Sequence, residues 1–230
     1  MKNKNIKLVV FDMAGTTINE DNLVYKALHK VFVKMGYTVT LDYVLQHCAG
    51  KEKLNAIVEL LNDLNYPTTQ ADAIFEEFSK TLKSVYEESE VKPITGVGTF
   101  LTKLKAANIK VVLNTGYNSY TANQLLDKLN WKKGIHFDAL ITADDVSKGR
   151  PHPDMILKAM DEFDIDDSQN VLKAGDSVVD IEEGKNANCG LTVGVLSGAQ
   201  TREELQKANP DLIVTTITEL DFLFAQPVIR

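Results

Sequence analysis

Apolar residues along the chain fall into two alternating kinds of segment. Short, β-branched runs read as buried strands: Lys7–Phe11, Lys110–Asn114, Ala139–Thr142, Asn170–Ala174, Leu191–Val195 and Leu212–Val214. Between the later runs the period lengthens to that of a helix. Thr99–Ala107 carries Phe100, Leu101 and Leu104; Ser119–Leu129 carries Leu125, Leu126 and Leu129; Pro153–Phe163 carries Ile156, Leu157 and Met160. Strand and helix in alternation predict an α/β fold, a parallel sheet covered on both faces.

Residues 20–91 break the alternation. They show helical spacing and no strand, with one helix through Leu23, Ala27, Leu28, Val31 and Phe32, a second through Leu54–Leu64, and a third through Ile74–Tyr86. Seventy-odd residues are too many for a simple crossover. The expected organisation is a core from residues 1–19 and 92–230, with 20–91 a helical cap hung on linkers at Ile18–Asn22 and Val91–Gly98. Pro93, Gly96 and Gly98 suit a hinge.

The chain has 230 residues and a net charge of −7, which argues against nucleic acid or an anionic membrane as partner. No apolar run reaches a membrane span, and the N-terminal apolar stretch stops at Asp12, so a cytoplasmic protein is expected. Cys48 and Cys189 stand far apart and predict two buried free thiols rather than a zinc site. The Leu23–Phe32 helix is apolar enough to suggest a homodimer face.

Chemistry-bearing residues gather at strand ends. Asp12 follows the first strand, Thr115 and Gly116 the second, Arg150 sits in KGRPHP, and Asp176 and Asp180 close AGDSVVD. Ligands of open parallel sheets bind at the carboxyl ends of the strands, so these residues should share one rim. Carboxylates there can hold Mg²⁺, and hydroxyl, backbone N–H and guanidinium groups can hold phosphoryl oxygens. A carboxylate left over can attack phosphorus.

DMAGT (12–16), NTG (114–116), GRP (149–151) and GDSVVD (175–180) resemble, in order and spacing, the four motifs of the haloacid dehalogenase-like hydrolase superfamily. The resemblance implies a Rossmann-like core with an inserted all-helical cap of its first (C1) class. It implies Asp12 as nucleophile, with Asp12, the backbone carbonyl of Ala14 and Asp176 around Mg²⁺. Thr115 and Arg150 would bind the transferring group, with Gly116 and Lys148 as further substrate contacts; Lys148 competes with Arg150 for the cationic role. Asp180 would support the metal's water shell or hold Arg150 or Lys148, or simply cap the helix near Ile181.

Phosphatases of the superfamily resemble DxDGT, whose second Asp protonates the leaving alcohol. Here that position is Ala14. The phosphonatase branch is similar to DxAGT, and in it a cap lysine forms a Schiff base with a phosphonate aldehyde. Gly50 followed by Lys53 resembles its Gly-x-x-Lys step; Lys51 is the rival, and Ala49 and Ala56 stand where Met and His are expected. The imine route needs some neutral amine, so burial, Lys51 or Arg150 must depress the Lys53 pKa from about 10.4. The implied function is Mg²⁺-dependent cleavage of a small phosphonate aldehyde. The alternatives are a phosphatase for small esters such as phosphoglycolate or sugar phosphates, and a non-catalytic phosphate-binding protein. Tyr117 and Asn118 line the substrate side or form a loop, and His152 is placed near the rim.

Overall fold

The computed structural model describes residues 5–224. Six parallel strands form the main sheet: β1 (Leu8–Asp12), β4 (Lys110–Asn114), β5 (Ala139–Ile141), β6 (Val171–Gly175), β7 (Leu191–Val195) and β8 (Leu212–Val214). The order is β5-β4-β1-β6-β7-β8. β1 is paired on both sides, with Asp12 opposite Asn114 of β4 and Phe11 opposite Ala174 of β6. Its five residues are all buried, as a central parallel strand requires.

The pleat sorts side chains onto two faces. Leu8 and Val10 join Val112, Ile141 and Val171 in a cluster closed by Met155, Ile156 and Ala159 of α7 (Asp154–Glu162). Val9 and Phe11 face the other way, into a cluster with Phe100, Leu101 and Leu104 of α5 (Val97–Ala106) and Leu125 of α6 (Ser119–Lys128). α8 (Val178–Asn186) packs on β6 and β7, and α9 (Arg202–Lys207) packs beside it. Strand order reverses at β1, so a cleft opens above its carboxyl end.

Between the first strand and α5 lie four helices: α1 (Leu23–Lys34), α2 (Leu41–Cys48), α3 (Lys53–Asp63) and α4 (Ala71–Glu88). α2 is one more than the apolar spacing predicts, because only Val44 and Cys48 of it are buried. The chain enters and leaves this unit as an antiparallel ribbon, β2 (Ile18–Asn19) on β3 (Lys92–Pro93). The two linkers are thus paired rather than loose. The apolar face of α1 is not available as a dimer surface: Val24, Leu28, Val31 and Phe32 are buried within the chain, against α2 and α4. Cys48 is buried and Cys189 only partly so; both are free. Among the described residues, no helix is long and apolar enough to cross a membrane.

Candidate active site

Asp12, Asn114 and Asp176 stand at the ends of adjacent strands, and the loop carrying Arg150 folds over them. Asp12, Ala14, Thr115, Gly116, Arg150 and Asp176 line one small cavity, which Tyr25, Gly50, Lys53 and Tyr117 close. The opposite walls come from segments distant in sequence.

The core wall is a charge network. Arg150 Nη1 donates to Asp12 Oδ1 at 2.7 Å and lies 3.0 Å from Asp180 Oδ1, while its Nε donates to Glu183 Oε2 at 3.1 Å. Nη2 donates to the Asn114 side chain at 2.6 Å. Below it, Lys173 Nζ meets Asp180 Oδ1 at 2.9 Å, Glu183 Oε2 at 3.1 Å and Asn114 Oδ1 at 2.7 Å. Arg150 therefore occupies the cationic position. Lys148 is exposed and does not line the cavity. Asp180 holds Arg150 and Lys173, not Lys148, and its other oxygen accepts from Ser177 Oγ. It does not line the cavity that Asp12 and Asp176 share. His152 is exposed and does not line the cavity.

Lys173 and Glu183 were missed by sequence reasoning. A lysine inside the apolar run of β6 is the one signal that could have found the first, because a strand buried on both faces admits a charge only with a partner.

The site also fits a cation. Burial raises the Asp12 carboxyl to about 6 against the pull of Arg150, and burial plus the charges of Asp12 and Asp180 raise Asp176 well above the carboxylate range. Glycines press against Asp176: a Cβ on Gly15 would fall 2.5 Å, and one on Gly198 2.0 Å, from its Oδ2. Carboxylates outnumber cations here, and two acids beside a main-chain carbonyl at Ala14 form the oxygen-only donor set that suits Mg²⁺.

The cap wall is built for close approach. Gly50 has φ +71°, and a Cβ on it would lie 2.2 Å from Ser177 Oγ. Across the seam, a Cβ on Gly116 would lie 2.9 Å from the Lys51 carbonyl. No larger residue could hold this contact unmoved. Glu52 caps α3, accepting from the Leu54 and Asn55 N–H groups at 2.8 Å, and so fixes Lys53 as its first residue. Lys53 is 5% exposed. Its Nζ donates to the Lys51 carbonyl at 2.5 Å and lies 5.5 Å and 5.6 Å from the ring centres of Tyr25 and Tyr117. Burial pushes its ammonium pKa down, with Arg150 acting in the same sense. Lys51 points elsewhere, paired with Glu59. Tyr117 lines the cavity, whereas Asn118 caps α6 by accepting from the Thr121 N–H at 2.9 Å. A larger cavity of ≈ 570 Å³ adjoins Lys53 and Tyr117 between α4 and the loop after β4.

The sequence model of the haloacid dehalogenase-like hydrolase family matches residues 9–193, from β1 through β7. This chain belongs to that family. It is a hydrolase, and the aspartate at the end of β1 lines its cavity. It is 31% identical over 217 residues to a phosphonoacetaldehyde hydrolase of Bacillus cereus (strain G9842), covering 87% of this chain and 81% of that protein. It is 29% identical to the phosphonoacetaldehyde hydrolase of Latilactobacillus sakei, over 96% of both chains. Among solved structures, a phosphonoacetaldehyde hydrolase-like protein from Oleispira antarctica superposes with a TM-score of 0.82 at 23% identity, covering 96% of this chain and 91% of that one. A putative phosphoglycolate phosphatase from Lactobacillus delbrueckii shares the fold at a TM-score of 0.79 and 18% identity, over 96% and 98%.

Proposed function

We propose that this hydrolase cleaves the carbon–phosphorus bond of a small phosphonate aldehyde of the phosphonoacetaldehyde kind. The observation that carries the reading is Lys53: a buried lysine with a lowered pKa, in the same cavity as Asp12, with an alanine where an acid would serve a phosphate ester. The similarity to proteins named phosphonoacetaldehyde hydrolase supports it.

Lys53, as the free amine, condenses with the substrate aldehyde and releases water, leaving an iminium. Asp12 attacks phosphorus. The electron pair of the C–P bond passes to the iminium and an enamine departs, so no acid at residue 14 has to protonate a leaving oxygen. Arg150 and Thr115 hold the phosphoryl oxygens, and water hydrolyses the aspartyl-phosphate. Mg²⁺, held by Asp12, Asp176 and the Ala14 carbonyl, would offset the charge of phosphonate and carboxylates. The tight Gly50–Gly116 seam excludes bulk water from the imine.

The test is phosphate release from phosphonoacetaldehyde in the presence of Mg²⁺, with Asp12→Asn as the blank. Release by the wild type alone is expected. Hydrolysis of phosphate esters without phosphonate cleavage, improved by Ala14→Asp, would replace the reading with that of a phosphatase.

A further inference from the structure

The cap side of the cavity carries a second buried acid that the reaction above does not use. Glu20 follows β2 directly and is 2% exposed. Its Oε2 accepts hydrogen bonds from the Val24 N–H at 3.2 Å and from the Tyr86 hydroxyl at 2.8 Å. The Tyr86 hydroxyl lies 3.0 Å from that of Tyr117. Tyr117 in turn lines the cavity and lays its ring beside the Lys53 ammonium. A buried hydrogen-bonded line thus runs from Glu20 through Tyr86 to Tyr117, whose ring flanks the Lys53 ammonium. The groups facing Glu20 are Tyr86 from α4, Tyr117 from the loop after β4, Tyr25 from α1 and Lys53 from α3. Burial pushes Glu20 up to about 7 while it pushes Lys53 down. An acid held near 7 can give and take a proton at neutral pH.

We propose that Glu20, Tyr86 and Tyr117 form a proton relay serving Lys53, so that the acid–base duty absent at Ala14 sits on the cap side of the cavity. The proposal rests on the imine reading of Lys53. Neutral Lys53 adds to the substrate carbonyl and gives a carbinolamine. Tyr117 donates its hydroxyl proton to the departing oxygen, the C–O bond breaks, and water leaves. With Glu20 protonated, its carboxyl donates to Tyr86, the reverse of the bond to the carboxylate, so Tyr117 recovers a proton from Tyr86 and Tyr86 from the Glu20 carboxylic acid. The nitrogen lone pair closes the C=N bond, so an iminium cation and a Glu20 carboxylate appear together and the buried charge stays balanced. After C–P cleavage the enamine carbon takes a proton from solvent. Water then adds to the iminium, and the proton released returns to Glu20 along the same line. A role for Glu20 confined to anchoring the start of α1 would leave the chemistry of Lys53 untouched.

The experiment measures the rate at which borohydride traps phosphonoacetaldehyde on Lys53, from pH 5.5 to pH 9, in the full chain. Glu20→Gln keeps an oxygen for the Val24 N–H and removes the acid proton; Tyr86→Phe cuts the line and leaves Glu20 in place. The wild-type rate should fall as the pH rises past about 7. Both variants should lose about tenfold or more at pH 7 and lose that ionisation from the profile. A wild-type adduct with both variants within twofold of its rate and sharing its profile would overturn the relay alone. If Glu20→Gln does not fold, Tyr86→Phe decides. A wild type that forms no adduct at any pH would overturn the imine reading and the relay with it.

Discussion

The two walls of the cavity treat charge in opposite ways. On the core wall every cation is locked to acids: Arg150 to Asp12, Asp180 and Glu183, and Lys173 to Asp180 and Glu183. On the cap wall Lys53 sits between tyrosine rings and donates to a carbonyl, and among the described residues no ion pair joins it to a carboxylate. Fixed, paired charges make a standing field for a phosphoryl group. A lysine desolvated without an ion-pair partner has its pKa lowered. The same burial therefore goes with paired charge on one side and a lowered ammonium pKa on the other.

Removing the amine gives the largest effect. Lys53→Met should lower phosphonoacetaldehyde cleavage by about 10³-fold or more, since the iminium is the only electron sink on offer. Steady-state phosphate release checks this. Loss of less than tenfold would mean that Lys53 is only a substrate contact.

Breaking the other wall should cost stability. Lys173→Met leaves Asp180 and Glu183, both fully buried, to share Arg150 as their cation, and about 3 kcal/mol is expected from denaturant unfolding. An effect below about 1 kcal/mol would show that the core charges are not held as a unit.

Glu20 offers a pH-dependent contrast. Its folded pKa of about 7 lies above its ordinary 4.5, so the folded state favours the protonated form. The stability this group contributes is complete below about 4.5 and is lost as the pH rises through 7. Glu20→Gln, which stays neutral, should therefore gain on the wild type by about 3 kcal/mol between pH 4 and pH 8. Thermal or urea unfolding at both pH values measures it, and a difference of zero or of opposite sign would contradict the shift.

The seam between the walls gives the smallest effect. Gly50→Ala puts a Cβ against Ser177 Oγ at a left-handed φ. Closure of the cap against the core should suffer, with kcat down about tenfold and stability changed by roughly 1 kcal/mol. Unchanged turnover would mean that the close approach at Gly50 is not needed.

The same contrast explains what could be read from sequence. The six sheet strands are legible because parallel strands buried on both faces are nearly pure apolar runs, and Asp12 and Asp176 are legible because each ends one. Lys53 is legible through the glycine that precedes its helix. The relay is not: the apolar stripe of α4 includes Tyr86, but its hydrogen bonds join residues 66 and 31 positions apart, and no local pattern pairs them. α2 escapes because its inward face is only two residues wide. The apolar stripe of α1 reads equally well as a dimer face or as the inside of a helical unit; the packing of α2 and α4 over it decides for the second.

The most direct test of the central claim is covalent. The protein is incubated with Mg²⁺ and phosphonoacetaldehyde, reduced with borohydride, digested and mapped by mass spectrometry. The expected adduct on Lys53 is an ethyl group in the wild type, once the C–P bond has broken, and a phosphonoethyl group in Asp12→Asn, where the imine can form but phosphorus cannot be attacked. An adduct on Lys51, or phosphate release with no lysine modified, would contradict that claim.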